Sequence, residues 1–264
     1  MILLDPVNSI TSIEFYRKVA VQTLGRTFLY LAYLGVLFSI VFTVFLKTHV
    51  WPSLQETFQW LETSVPAITF SKGRMSTPTD EKVTVRHPRV SEVAVVIDTL
   101  RVEPVTAQVL NEEKATAYLT GGALYVLQPG GKVEAYDFSK VPTAETRVFD
   151  AKFYRELARS LRLILYPLGF AAAFAVFMAW KLVASLFYSL IALIVNGVAE
   201  AGLEFVPLFN LSVYAQTLVI AIQCILLLVP AQVPQLTLLC AVATTIYLWL
   251  AIKKLSPPPP QPAA

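Results

Sequence analysis

Two aspartates stand where a carboxylate can do chemistry. The apolar run Val93 to Ile97 ends in Asp98 and Thr99, and a later run ends in Tyr136 and Asp137. Side chains at strand ends often reach ligands, and two carboxylates brought together can act as general acid and base. The Asp98 carboxylate and the Asp137 carboxylate would meet if the later run paired with the first. An Asp-Thr pair at a strand end is more often a cap, its side-chain oxygen accepting a backbone N–H of the next turn. No catalytic residue is therefore assigned. His49 and His87 have no Cys or His partner at ligand spacing, and Cys224 and Cys240 both fall in apolar segments. Neither a metal site nor a disulfide framework is expected, and no cofactor is implied.

A second set of polar residues interrupts the apolar last third of the chain, Leu161 to Ile252: Lys181, Asn196, Glu200, Glu204, Asn210, Gln216 and Gln223. An ionisable group at membrane depth is costly to bury and is a functional candidate for that reason. Lys181 beside Trp180, and Glu200 and Glu204 beside Gly202, are expected at interfaces or in the loop from Val198 to Ser212, where solvation is cheap. Gln216 and Gln223, seven residues apart, share one helix face and are expected to be buried. Interhelical hydrogen bonding accounts for them as well as a transport path does. A third set, Lys152, Arg155, Arg159 and Arg162, leads into the apolar block and is a candidate for contact with anionic lipid headgroups. Ordinary snorkelling of long basic side chains is the simpler reading.

These residues need elements to hold them, and composition says what kind. The 264 residues are 56% hydrophobic and only 15% charged, well under the roughly 25% charged of a soluble domain. Mean hydropathy is +0.61. The net charge of +3 is scattered over the chain, without the dense basic face that nucleic acid requires. Thr27 to Leu46 is a charge-free run, close to the roughly 20 residues that a helix needs to cross the hydrocarbon core. Phe28, Tyr30, Tyr33 and Trp51 sit at its ends like interfacial belts. Before it, Thr11 and Glu14 stand at capping-box spacing, and Ile13, Tyr16 and Ala20 recur at helical intervals, which predicts a helix lying on the membrane or a plain extension of the span.

Beyond the first span, Pro52 is placed to open a helix lined by Leu54, Phe58 and Leu61 and ending before Pro66. The period then changes to two. Ile68 and Phe70, Val83 and Val85, and Val93 to Ile97 read as strands, the last apolar on both faces and so a candidate central strand. Thr106 to Tyr118 reads as a helix. Ala123 to Leu127, the turn at Pro129, Gly130 and Gly131, and Lys132 to Tyr136 form a hairpin that Gly121 and Gly122 lead into. Asp150 can cap a helix from Ala151 that feeds the membrane. Four apolar runs follow: Leu163 to Trp180, Leu182 to Val198, Val213 to Val229 and Leu236 to Ile252. Only Lys181 separates the first two, too little for a hairpin, so they form one long helix or a span with a re-entrant piece. The tail from Ser256, with four consecutive prolines, is expected to be extended and without a core.

The expected fold is a membrane protein: an α-helical transmembrane bundle of four to five spans with a small extramembrane α+β domain inserted after the first. The segments are 1–26, a span at 27–46, the insert at 47–160, the bundle at 161–252 and the tail at 253–264. Arg17, Lys18, Arg26, Lys253 and Lys254 favour both termini on the cytoplasmic side and hence an even number of spans, although Lys47 and the cluster from Lys152 to Arg162 flank the opposite side.

The order of a first span, Val65-Pro66, Gly73, the Val95 to Thr99 segment Val-Val-Ile-Asp-Thr, and a hairpin ending in Tyr136-Asp137 resembles the DUF1189 family, related to the Yip1-like superfamily. The resemblance implies a bacterial inner-membrane protein with an extracytoplasmic insert, and brings no reaction with it. This chain departs from the family at its proline-rich tail and at Leu100-Arg101, where relatives often carry a glycine-bearing turn. The expected role is non-enzymatic: a scaffold, assembly factor or sensor subunit that meets the lipid bilayer and a membrane-protein partner. The alternative is a transporter accessory or a lipid- or solute-handling protein.

Overall fold

The computed structural model describes residues 2–79, 81–87, 94–141, 145–229, 231 and 233–256. Val93 and the prolines of the tail lie outside the described residues. The chain forms two compact units, Met1–His49 with Leu165–Ala264, and Val50–Ile164.

The first unit begins with two short helices, α1 (Asp5–Thr11) and α2 (Phe15–Ala20), followed by α3 (Leu24–Phe45). The expected capping box does not form. Thr11 ends α1, its hydroxyl donating to the Val7 carbonyl at 2.8 Å, and Glu14 instead pairs with Lys254 at 2.7 Å. Tyr16, Val19 and Ala20 are buried against the bundle core, so α2 is a packed element of it. The thin apolar stripe seen in the sequence is the buried face.

A π-type turn at Leu46–Val50 carries the chain from α3 into α4 (Trp51–Ser64). Pro52 stands in the first turn of α4, as expected of a proline that opens a helix, because its missing N–H is tolerated there. The helix stops at Ser64, before Pro66.

The second unit holds two sheets. β1 (Ile68–Ser71), β2 (Arg74–Ser76) and β8 (Arg147–Phe149) make an antiparallel three-stranded sheet in the order β2-β1-β8. β3 (Val83–Arg86), β4 (Ala94–Ile97), β5 (Ala117–Leu119), β6 (Ala123–Leu127) and β7 (Val133–Asp137) make a five-stranded sheet in chain order. β4 and β5 are parallel, with Ile97 opposite Leu119, and α5 (Ala107–Glu112) is their crossover. The helix expected from Thr106 to Tyr118 is thus only six residues long. Thr106 caps it, its hydroxyl accepting the Val109 N–H at 3.5 Å, and its last expected stretch is strand β5. β4 lies inside the sheet, between β3 and β5, as expected of a central strand. It is buried on both faces: Ala94 and Val96 pack with Leu110 and Tyr118, while Ile97 packs with Ile68, Val85 and Leu119. Two-sided burial explains its unbroken apolar run.

Asp150 caps α6 (Ala151–Val198), accepting the Phe153 N–H at 2.8 Å. The helix runs unbroken through Pro167 and Lys181, so two of the four apolar runs are one element of 48 residues, about 72 Å at 1.5 Å per residue. α7 (Phe205–Ala215) and α8 (Thr217–Leu228) follow end to end with a break at Gln216, then α9 (Leu236–Leu255). Four helical stretches among the described residues are long and apolar enough to cross a membrane: Leu24–Ser64, Ala151–Val198, Phe205–Leu228 and Leu236–Leu255.

Candidate functional site

In the second unit, the loops that follow β4 and β5 open on the same edge, since those strands run parallel. They line a cleft of about 760 Å³ together with Arg74 and Ser76 of β2 and Asp137 of β7. The carboxyl edge of a parallel pair is where open α/β sheets commonly place ligands. Arg101 projects from the first loop, its guanidinium 5.5 Å from the centre of the Tyr118 ring. Leu100 and Val102 flank it and are 59% and 95% exposed. The second loop carries Thr120, Gly121 and Gly122.

The two aspartates do not form an acid/base pair. The hairpin β6–β7 pairs with β5 instead of β4, so Asp98 and Asp137 lie three strands apart, roughly 14 Å at the usual strand spacing. Asp98 accepts the Tyr118 hydroxyl at 2.9 Å, and its N–H donates to the Leu119 carbonyl at 2.9 Å. Burial, reinforced by the Asp98 carboxylate, pushes the Tyr118 hydroxyl above its ordinary value. Asp137 accepts the Ser139 hydroxyl at 2.7 Å and the Ser139 N–H at 2.9 Å. Those bonds hold its carboxyl below the ordinary range. Thr99 shares a hydrogen bond of 3.0 Å with the Thr77 hydroxyl. Each of these three residues is engaged in local structure.

In the first unit, Lys181 is buried within the helix packing. It is 5% exposed, and its Nζ donates to Gln223 Oε1 at 3.1 Å. Trp180 lies at the helix surface, and one residue of rotation, about 100°, carries Lys181 inward. One turn further along α6, Ser185 accepts from Gln216 Nε2 at 2.8 Å. The seven-residue spacing of the glutamines thus meets the four-residue spacing of Lys181 and Ser185. Asn196 closes the loop between α6 and α7 by bonding both backbone groups of Leu203, at 3.0 and 3.1 Å. Glu200 lies within that loop and Glu204 immediately precedes α7. Asn210 is buried, donating to the Gln22 carbonyl at 2.9 Å and accepting the Thr27 hydroxyl at 2.7 Å.

The four basic residues of α6 divide into two pairs. Lys152 reaches Glu156 at 3.9 Å, and Arg155 is held by Glu62 of α4, its Nε donating at 3.1 Å. Arg162 lies over the Trp51 ring at 5.6 Å. Arg159 has no ion pair or hydrogen bond among the described residues. Arg155, Arg159 and Arg162 all line a groove of about 260 Å³ against α4, with Glu62 in its wall.

Of the cleft residues, Arg74 carries no signal in the sequence, while Arg101 and Gly121 are marked there only as a departure from the family and as a hairpin entry. A three-residue strand such as β2 carries no period to reveal it, and the role of Gly121 depends on a neighbour 22 residues away. Among the described residues no three His, Cys, Asp or Glu side chains group as a metal site.

A family model described as "Protein of unknown function (DUF1189)" matches residues 7–252. No curated protein and no solved structure matches the chain.

Proposed function

The chain belongs to the DUF1189 family of proteins of unknown function, and from that premise we propose that it is a non-enzymatic, multi-pass inner-membrane protein. It crosses the bilayer four times, and its extracytoplasmic insert acts as the docking module of a scaffold, assembly factor or sensor subunit. The supporting observation is the cleft on the carboxyl edge of β4 and β5. Its rim loop presents Arg101 between two exposed apolar residues, Leu100 and Val102. A cation framed by apolar side chains suits a protein segment that brings a carboxylate and an apolar neighbour, since interfaces are enriched in arginine and in apolar anchors.

A photo-crosslinking residue at position 100 in the full chain, irradiated in native membranes, tests this. One stoichiometric protein adduct is expected, lost on Arg101→Ala and absent from a crosslinker at Lys132 on the hairpin tip. No adduct, or the same adducts from both positions, would overturn the docking role. Asp98→Asn combined with Asp137→Asn is expected to leave function intact, and loss of function in that folded variant would revive an enzymatic reading.

Burial of Lys181 against Gln223 favours a second reading, solute or lipid handling, because an ionisable group at membrane depth often marks a pathway. Under that reading Lys181→Met abolishes flux at unchanged expression. Unchanged flux would end it.

A further inference from the structure

We infer that the groove between α4 and the first turns of α6 is a binding site for the phosphate of an anionic phospholipid. The inference rests on reading α6 as membrane-crossing. Along the axis of α6, Arg162 immediately precedes the apolar run Leu163 to Trp180. Arg159 stands about 4.5 Å further out and Arg155 about 10.5 Å. The headgroup layer is roughly 5–8 Å deep on each side of the hydrocarbon core. Arg162 and Arg159 therefore fall within it, while Arg155 and Lys152 fall beyond.

Partnering divides the four residues in the same way. The outer two are neutralised by Glu62 and Glu156. The inner two have no carboxylate partner among the described residues; Arg155 and Glu62 line the same groove but are paired with one another, which leaves the guanidinium groups of Arg159 and Arg162 to meet an anion there. Guanidinium is the side chain best matched to the oxygens of a phosphate, which it can hold through two parallel N–H bonds. Trp51 forms the inner wall under Arg162, with its indole N–H donating to Gln55 at 3.0 Å. Gln55 and Gln59 supply amide groups along the α4 side. Tryptophan at headgroup level is the usual interfacial anchor. At about 260 Å³ the groove is small, below the roughly 300–1,000 Å³ of sites that engulf a drug-sized ligand. That size suits a phosphate headgroup whose acyl chains stay outside in the bilayer.

The test uses the full chain, extracted in mild detergent, with native mass spectrometry reading bound phosphatidylglycerol against phosphatidylcholine. Wild-type protein is expected to retain phosphatidylglycerol selectively. Arg159→Gln with Arg162→Gln should weaken that retention roughly thirty-fold, which matches the loss of two cations from an anionic surface. Arg147→Gln with Lys152→Gln removes the same charge from residues outside the groove and should change it less than about three-fold. Equal losses in the two variants would mean diffuse charge attraction, and no preference in the wild type would mean no site. Displacement of the lipid by millimolar inorganic phosphate would assign the groove to a soluble anion. Each of these three results overturns the inference. Circular dichroism of both variants guards against misfolding, and Arg159→Lys with Arg162→Lys, which keeps the charge, should restore part of the binding. Recovery of the wild type as a soluble protein after alkaline washing would instead remove the membrane reading beneath it.

Discussion

A methyl group on Gly121 would stand 2.6 Å from the Thr99 carbonyl oxygen, whereas one on Gly122 would meet nothing within 4 Å. The Gly121 carbonyl also accepts the Met75 N–H at 2.8 Å, which joins the two sheets at the cleft. Gly121→Ala must therefore separate the loops after β4 and β5, at about 1–3 kcal/mol. Gly122→Ala should be within about 0.5 kcal/mol of wild type. Hydrogen exchange of the Met75 amide checks both, rising in the first variant only, and equal protection in both would refute the close approach. The glycine pair announces a hairpin entry in the sequence, but which of the two faces another loop depends on a contact that no local pattern encodes. Asp137 gives a second residue-scale expectation. Its folded value lies below the ordinary 3.8 because the Ser139 hydroxyl and N–H both stabilise the carboxylate. A depressed acid contributes stability that is present above pH 3.8 and lost as pH falls through the folded value. In Ser139→Ala the titration of Asp137, followed by carboxyl NMR, should move back toward 3.8 but stop short, since the backbone donor remains. An unmoved titration would show that the hydroxyl contributes nothing.

At the scale of elements, α6 is joined to the helices after it by polar contacts placed one turn apart. Lys181 donates to Gln223, and Ser185 accepts from Gln216. Gln223→Leu leaves a buried ammonium without its acceptor and should cost about 1–3 kcal/mol. Lys181→Met removes the charge together with its desolvation cost and should be neutral or stabilising. The double variant should then be more stable than Gln223→Leu alone, a non-additivity well above the roughly 0.3–0.5 kcal/mol seen for independent sites. Thermal unfolding in bicelles measures the cycle, and additive single changes would mean the bond carries no energy. The glutamine spacing foretold one shared face, yet the depth of Lys181 was illegible. One lysine next to a tryptophan reads as a boundary until the unbroken helix on both sides is known. Strand β5 was misread for a related reason. Three residues after a capped helix continue its pattern, and only the parallel partner β4 makes them a strand. The short strands β2 and β8 have no periodicity of their own, whereas the hairpin of β6 and β7 was plain from its glycine turn.

At the scale of the whole molecule, sequence charge left the sidedness nearly tied, and packing bears instead on the parity of the crossings. Within the first unit, Arg26 in the opening turn of α3 pairs with Asp5 at 3.4 Å. The Tyr247 hydroxyl of α9 donates to the Ile10 carbonyl at 3.0 Å, and Lys254 at the end of α9 pairs with Glu14. The beginning of the first long helix and the end of the last thus lie at one end of that unit. A chain that leaves and returns to the same end makes an even number of crossings, and the four apolar stretches provide that number if α7 and α8 cross together despite the break at Gln216. Reporter fusions or labelled cysteines at the two termini should accordingly be accessible from the same side of the membrane. Access from opposite sides would mean an odd count. The broken pair α7–α8 would then be the stretch that fails to cross, because it alone among the four is interrupted at a buried polar residue, and Gln216 would mark a re-entrant turn instead of a bend within a span.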